Sequence, residues 1–355
     1  MRKIPVGAIK GNEMLARDLY SLNDKMLLPA GTKIKKEYIN HLRQLEVAYI
    51  YVEDELSYGV VDDEGTESVL SDRCMRQVRE TLNRFIYNGR SQAEELARII
   101  GEIIKEVLTQ KEVIYSLSGV RQKSEQLYCH SISVCTLSVL IALKMDLPRA
   151  KVKEIALGGI LHDIGYKCVS VDMHHMDEKV FSEEEHKELK KHVIYGYNLV
   201  EKETWLPPTA KEIIIAHHEL CDKSGYPFRL DEAHMKLHNK IVSLCDTFDR
   251  LVYGYFTKPM KVHEAIEYIV NNQGKKFAND MVAIFIKSLA AYPNGSIVRT
   301  NEQQMGIVLH QNHNFPSRPV IRIIRDAKGR KCDEWIIKDL TKNLTLFIED
   351  TIEIM

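Results

Sequence analysis

Histidine and aspartate side chains stand at the ends of three apolar stretches of this chain of 355 residues, where a folded protein would exclude water. They are His162 and Asp163, then His217 and His218, and finally Asp246. A buried imidazole or carboxylate loses its hydration, so it needs a hydrogen-bond partner, an opposite charge or a metal ion. Several such groups in one chain indicate a metal site.

Two further histidines join this set. His130 begins a predicted helix, and His192 opens another apolar helical run. Either one alone would more often be a hydrogen-bonded core residue, and the alternative that all seven residues are unrelated stays open. A catalytic zinc needs three protein ligands and a water, so seven ligands predict two metal ions, with Asp163 as the bridge. The predicted ligand set is His130, His162, Asp163, His192, His217, His218 and Asp246.

The donor atoms of this set also indicate a metal and a reaction. Imidazole and carboxylate without thiolate favour iron or manganese over a structural zinc site. Two metals about 3.5–4 Å apart activate a shared water and hold the oxygens of a phosphate ester during in-line attack. The pattern therefore favours metal-dependent hydrolysis of a phosphate ester.

The pattern of apolar residues divides the chain into four parts. Residues 1–55 predict a small β-rich domain and residues 56–72 an acidic linker, whereas residues 73–292 repeat apolar positions at helical spacing. Residues 293–355 return to strand signals. The predicted fold class is mainly α, a helical bundle flanked by small β-rich segments. The predicted C-terminal strands are Ser296–Val298, Gly306–Leu309, Val320–Ile324 and Leu344–Ile348.

Composition limits the partners and the location. A net charge of -1 gives no support to binding of a nucleic-acid polymer or a membrane surface. Seven scattered cysteines, never spaced as C-x-x-C, indicate reduced thiols. The longest apolar stretch, Ser131–Leu143, is too short to span a bilayer, and no hydrophobic signal region follows Met1. We expect a cytoplasmic protein.

Five motifs in a fixed order give the chain a resemblance to a known family. They are His130, the Leu-His-Asp-Ile-Gly stretch at 161–165, His192, the His-His-Glu and Gly-Tyr-Pro stretches within 217–227, and Asp246 with Asp249. This core, within residues 120–260, resembles the HD-GYP family, a branch of the HD superfamily of metal-dependent phosphohydrolases. The resemblance implies a helical HD domain with two or three iron or manganese ions. It also implies hydrolysis of cyclic di-GMP to pGpG or GMP.

The sequence departs from the family pattern where the family binds phosphate. The family's lysine after His-Asp-x-Gly is Tyr166 here, and Lys167 follows it. We therefore expect Lys167 to take the part of that lysine in catalysis, beside the bridging Asp163. The family's arginine beyond Asp249 aligns with Tyr255.

The same comparison assigns the substrate contacts. Lys223 replaces the first glycine of the family's Asp-Gly-x-Gly-Tyr-Pro, and a basic residue is kept at Lys258. Tyr226 is the tyrosine of Gly-Tyr-Pro. The expected substrate-binding residues are Tyr226, Lys223 and Lys258.

The number of metals depends on a residue before His130. Trinuclear members carry a glutamate one helical turn earlier, and that position is Gln126 here. Glu125 lies about 140° around a helix from His130, so it points elsewhere. We expect two metals. Asp249 shares roughly the helix face of Asp246 and is interpreted as a support for the ligands.

Three functions are compatible with this sequence. The first is a cyclic di-GMP phosphodiesterase. The second is a nucleotide-binding or protein-interaction module with a degenerate site, which the altered lysine and arginine positions suggest. The third is a hydrolase of another phosphorylated nucleotide, because a fold and its metals do not fix the substrate. An apolar stripe along residues 74–110 is compatible with core packing or with a homodimer contact.

Overall fold

The computed structural model describes residues 1–20, 26–45, 47, 49–61, 72–85, 89–109, 126–171, 181–254, 258–312 and 315–352. Its helices are α1 (Lys36–Gln44), α2 (Asp72–Phe85), α3 (Gly89–Thr109), α4 (Gln126–Lys144), α5 (Arg149–Leu161), α6 (Glu183–Lys190), α7 (His192–Val200), α8 (Pro208–Ala216), α9 (Leu237–Tyr253), α10 (Val262–Asn271) and α11 (Asn279–Lys287). Its strands are β1 (Arg2–Pro5), β2 (Met14–Leu15), β3 (Leu19–Tyr20), β4 (Met26–Leu28), β5 (Tyr49–Glu53), β6 (Ile297–Thr300), β7 (Met305–His310), β8 (Val320–Arg325), β9 (Lys331–Asp339) and β10 (Ile348–Thr351). The predicted fold class, mainly α with β-rich ends, is confirmed.

The chain forms two compact units. One contains the described residues of Ser68–Val113 and Ser124–Ser288, and the other those of Met1–Glu67 and Leu289–Met355. The helical unit holds all seven predicted metal ligands, so it is the unit that positions the site.

Helix α4 lies at the centre of the helical unit. Every residue from Cys129 to Ala142 is buried, and α4 packs against α5 and α9. A helix that is apolar on all sides is stable only when other helices surround it. Its length and composition would also allow a membrane span, but 83% of that window is buried within the protein. Helix α5 packs in turn on α8, and α8 on α7 and α9.

The second unit is built from antiparallel sheets. The C-terminal sheet has the order β10-β6-β7-β8-β9, and the N-terminal sheet has the order β1-β5-β2 with a separate β3-β4 pair. The two ends of the chain meet in this unit, because the buried Arg322 donates to the carbonyls of Leu56 (2.7 Å) and Tyr58 (2.6 Å).

Two C-terminal strands differ from the prediction. Strand β9 was not predicted, since its sequence mixes charged and apolar residues, and it pairs only with β8 at the sheet edge. Strand β10 begins at Ile348, later than the predicted Leu344–Ile348. The Asn301 side chain binds the Phe347 amide (2.9 Å) and the Thr345 carbonyl (3.0 Å), so side-chain bonds replace strand pairing there.

Candidate metal centre

Five helices bring the seven predicted ligands together. His130 lies on α4, His162 and Asp163 at the end of α5, His192 at the start of α7, His217 and His218 at the end of α8, and Asp246 on α9. All seven residues are buried. The packing of apolar helix faces therefore carries these polar side chains into one interior cluster.

The ligands fall into two groups. Asp163, His192, His217 and His218 offer donor atoms within 4.8 Å of one another, and so do His130, His162 and Asp246. Asp163 faces both groups. Its Oδ1 lies 3.3 Å from Nε2 of His192 and of His217, and its Oδ2 lies 3.4 Å from Nε2 of His162. The carboxylate of Asp163 therefore lies between the two groups, and its role as a metal bridge stays a prediction.

Backbone carbonyls fix the orientation of three imidazoles. Nδ1 of His162 donates to the Gly159 carbonyl (2.7 Å), and Nδ1 of His192 donates to the Leu189 carbonyl (2.7 Å). Nδ1 of His217 lies 3.1 Å from the Ile214 carbonyl. A carbonyl carries no proton, so each Nδ1 must hold one, and in its neutral form each ring presents Nε2 as an acceptor to the cluster.

With the rings in this form, hydrogen-bond acceptor atoms of neighbouring side chains face one another. Nε2 of His192 and Nε2 of His217 are 3.3 Å apart, and both lie 3.3 Å from Oδ1 of Asp163. That oxygen is buried and has no directed hydrogen bond among the described residues. Nε2 of His218 is buried in the same way. Three acceptor atoms around one point repel one another unless a cation lies between them, so these residues fit a metal ion.

Protonation of the cluster follows its surroundings. Burial lowers the pKa of His217 to about 4, although Asp163 acts in the opposite direction. Burial raises the pKa of Asp163, but the surrounding imidazoles, His162 first and then His192 and His217, outweigh it and hold that pKa well below its usual value. At neutral pH Asp163 is a carboxylate and His217 a neutral imidazole, the forms that bind a divalent metal.

His130 has a carboxylate on each side. Its Nδ1 lies 2.7 Å from Oδ2 of Asp249, and its Nε2 lies 3.0 Å from Oδ1 of Asp246. Burial lowers the pKa of His130, but Asp246 and Asp249 more than offset this and raise it to about 9. Asp249 is fully buried and orients His130.

A close approach of two elements explains the glycine after His162-Asp163. A Cβ built on Gly165 would lie 1.9 Å from the His192 carbonyl oxygen, so any side chain there would push α7 away. The next residue, Tyr166, stacks on the His192 ring with centroids 3.9 Å apart. The position of the family's lysine is thus a buried aromatic contact with a predicted ligand.

A buried carboxylate anchors the Gly-Tyr-Pro loop. Glu219 accepts from the backbone N–H groups of Phe228 (2.5 Å), Arg229 (3.1 Å) and Leu230 (2.8 Å). The loop carries Tyr226, which is half-buried and stacks on His218 with centroids 4.8 Å apart. Tyr226 therefore borders the ligand cluster, and its contact with substrate stays a prediction. The sequence did not predict that Glu219 anchors this loop.

Two of the three predicted lysines contact residues outside the ligand set, and the third is exposed. Lys167 donates to Asn83 on α2 and to the hydroxyl of Tyr128 (3.4 Å). Lys223 is exposed, has a left-handed backbone (φ 66°) and pairs with Asp231 at 3.2 Å. Lys258 is exposed. Tyr255, aligned with the family's arginine, lies outside the described residues.

Two other side chains lie at the edge of the cluster: Gln126, which the sequence analysis discussed, and Arg250, which it did not. Gln126 is buried and its amide donates to the Tyr253 carbonyl (3.4 Å). Arg250 was missed. Its Nη1 lies 3.4 Å from Nδ1 of His218 and 3.9 Å from Oδ2 of Asp246. The sequence signal that could have indicated Arg250 was its four-residue spacing from Asp246, which places both residues on one helix face.

Comparison with known proteins agrees with this architecture. A family model described as "HD domain" matches residues 116–281, and one described as "KOW domain associated with HD domain" matches residues 297–354. The solved structure of an HDG"Y"P protein from Bdellovibrio bacteriovorus has a TM-score of 0.52 and 21% identity, covering 80% of this chain and 97% of that one. That likeness shows a shared fold.

Two curated relatives have names that state an activity. A cyclic di-GMP phosphodiesterase of Pseudomonas aeruginosa is 26% identical over 261 residues, which is 72% of this chain and 63% of that protein. A cyclic di-GMP phosphodiesterase of Thermotoga maritima is 29% identical over 210 residues, which is 59% of this chain and 55% of that protein. This chain thus spans less than two thirds of either relative. With the ordered motifs and their convergence in space, the matches identify residues 116–281 as an HD domain, and its motifs resemble those of the HD-GYP branch of the HD superfamily.

Proposed function

We propose that this chain is a metal-dependent phosphodiesterase that hydrolyses cyclic di-GMP to pGpG or GMP. The observation that carries the proposal is the set of metal-ligating atoms around Asp163. His192, His217 and Asp163 place three such atoms 3.3 Å apart in a buried site. The names of the two relatives support the choice of cyclic di-GMP.

The two groups of ligands would each hold one cation. His192, His217 and His218 would hold the first and His130, His162 and Asp246 the second, with Asp163 shared between them. The donor set favours iron or manganese. When bound, two such ions supply an activated water and neutralise charge on the phosphate oxygens.

The chain's own residues then position the substrate and the ligands. Asp249 and the backbone carbonyls of α5, α6 and α8 hold the imidazoles in place. Tyr226 offers an aromatic face beside His218, suited to contact with a nucleotide at the mouth of the site. Lys167 would serve as the displaced family lysine only if its ammonium leaves Asn83 and Tyr128. A cytoplasmic location stays a prediction.

One experiment tests this proposal. Full-length protein is loaded with Mn²⁺, or with Fe²⁺ under anaerobic conditions, and incubated with cyclic di-GMP and a panel of other cyclic dinucleotides. Chromatography should detect pGpG or GMP from cyclic di-GMP, and His192→Ala should abolish the reaction. Turnover of a different cyclic dinucleotide alone would contradict the substrate assignment.

A second candidate function is supported by one observation. The family's lysine position is Tyr166, whose ring stacks on His192 in the interior. A site altered in this way suits a module that binds nucleotide without hydrolysing it. Calorimetric binding of cyclic di-GMP without any product over many hours would favour this function over the first.

A further inference from the structure

Arg250 is a cation built into the wall of the ligand cluster. It lies on α9, one helical turn after Asp246, and Nη1 is 3.9 Å from the Asp246 carboxylate. The same nitrogen is 3.4 Å from Nδ1 of His218. One guanidinium therefore contacts both ligand groups.

The guanidinium is positively charged at every physiological pH. Burial lowers the pKa of Arg250, but the Asp246 carboxylate outweighs it, and the pKa lies above its usual value.

The other candidate cations lie elsewhere. Lys167 binds Asn83 and Tyr128, Lys223 pairs with Asp231, and Lys258 is exposed beyond α9. Among the described residues, Arg250 is the one of these four cations with a contact to a predicted ligand. A site that hydrolyses phosphodiesters needs positive charge at the phosphate in addition to its metals.

The exposure of Arg250 is what distinguishes it from the ligands. Its side chain is 23% exposed, whereas those of Asp246 and His218 are 2% and 6% exposed. The guanidinium therefore lies at the boundary between the buried cluster and solvent. The positive charge of Arg250 would repel two bound metal dications. A phosphate anion bound between them would offset that repulsion.

We propose that Arg250 binds the phosphate group of the substrate, in place of the lysine and arginine that the family carries at other positions. A guanidinium has five N–H donors in a planar fork, so it can bind Asp246 and a phosphate oxygen together. The inference rests on the proposed function for the identity of the nucleotide. Binding of the phosphate group itself can be tested without any turnover.

The test uses inorganic phosphate and the metal-loaded full chain. Calorimetry measures phosphate affinity of the wild type, Arg250→Met, Arg250→Lys and the control Lys240→Met, a cation on the same helix that faces Glu232 at 3.7 Å. Metal content of each variant is measured in parallel. Arg250→Met should keep its metals and bind phosphate at least about tenfold more weakly, because a charge-assisted hydrogen bond is lost. Lys240→Met should bind phosphate like the wild type.

If Arg250→Met does not fold, Arg250→Lys decides the question. A lysine keeps the charge but loses the planar fork, so phosphate affinity should fall about threefold or more. Wild-type phosphate affinity in Arg250→Met or Arg250→Lys would overturn the inference. Loss of metal from both variants would also overturn it, because Arg250 would then only hold Asp246. Phosphate binding that depends on Arg250, without turnover of any cyclic dinucleotide, would support it and contradict the proposed function.

Discussion

Nδ1 of His130 lies 2.7 Å from Oδ2 of Asp249, and both side chains are fully buried. This contact fixes the ring so that Nε2 points towards Asp246 and the ligand cluster. A carboxylate behind a metal-binding histidine orients the ring and raises its basicity. Asp249 would therefore influence a metal bound to His130 through the orientation of that ring, although it belongs to neither group of predicted ligands.

We expect Asp249→Ala to weaken metal binding or activity by about 10–100-fold, the usual cost of losing such an outer carboxylate. Asp249→Asn is the matched variant, since it keeps the volume and removes only the charge. Metal titration monitored by calorimetry measures the effect. Unchanged affinity in both variants would show that the Asp249 contact is not needed for the site.

Glu219 should matter for the loop rather than for the metals. Its buried carboxylate accepts from three backbone N–H groups, which Glu219→Ala would leave without an acceptor. We expect this variant to lose about 2–4 kcal/mol of unfolding free energy, measured by denaturant titration. Glu232→Ala, an exposed carboxylate in the same region, is the control and should change little. Equal stability of the two variants would contradict the anchoring interpretation.

Lys167→Ala separates the displaced-lysine hypothesis from the Arg250 inference. The Lys167 ammonium is engaged with Asn83 and Tyr128, so its removal should leave metal content unchanged. We expect turnover of cyclic di-GMP to stay within about threefold of the wild type, since a side chain outside the reacting atoms contributes little transition-state energy. A fall of tenfold or more at equal metal content would instead give Lys167 the catalytic role that the sequence suggested.

The raised pKa of His130 predicts a pH dependence of the metal-free protein. Its folded-state pKa of about 9 lies above the ordinary value of 6.5, so protonated His130 stabilises the fold. This contribution is fully present below pH 6.5 and is lost as pH rises through 9. Denaturant titrations of chelator-treated protein should show that loss, and His130→Gln should not. A wild type as stable at pH 9 as at pH 6.5 would be inconsistent with it.

The sequence indicated His162, Asp163, His217 and His218 as candidate ligands because they follow apolar runs. Burial of such a run places its terminal histidine or aspartate in the interior, as for His162 after α5 and His217 after α8. The helical spacing also indicated that Asp249 lies on roughly the same helix face as Asp246. These predictions depend on the spacing of residues along a single helix, which can be seen in the sequence.

The parts that could not be predicted depend on contacts between elements. Arg250 reaches His218 on another helix, and only the packing of α8 and α9 brings them together. Lys167 lies in a short 3-10 helix (Ile164–Cys168), where α-helical spacing does not apply, so the sequence did not tell whether it faces the cluster or Asn83. Strand β9 has no clear alternation because it lies at a sheet edge, exposed over much of its length.

Metal content of the wild type and of Asp163→Ala tests the central claim most directly. Elemental analysis of anaerobically prepared wild-type protein should give two iron or manganese ions per chain. Asp163→Ala removes the shared anionic ligand and leaves two dications to repel each other, so its metal content should fall towards zero. Asp326→Ala, in an exposed turn of the C-terminal sheet, is the control and should keep both ions. Two metals retained in Asp163→Ala would contradict the bridging role of Asp163 and the two-metal site built on it.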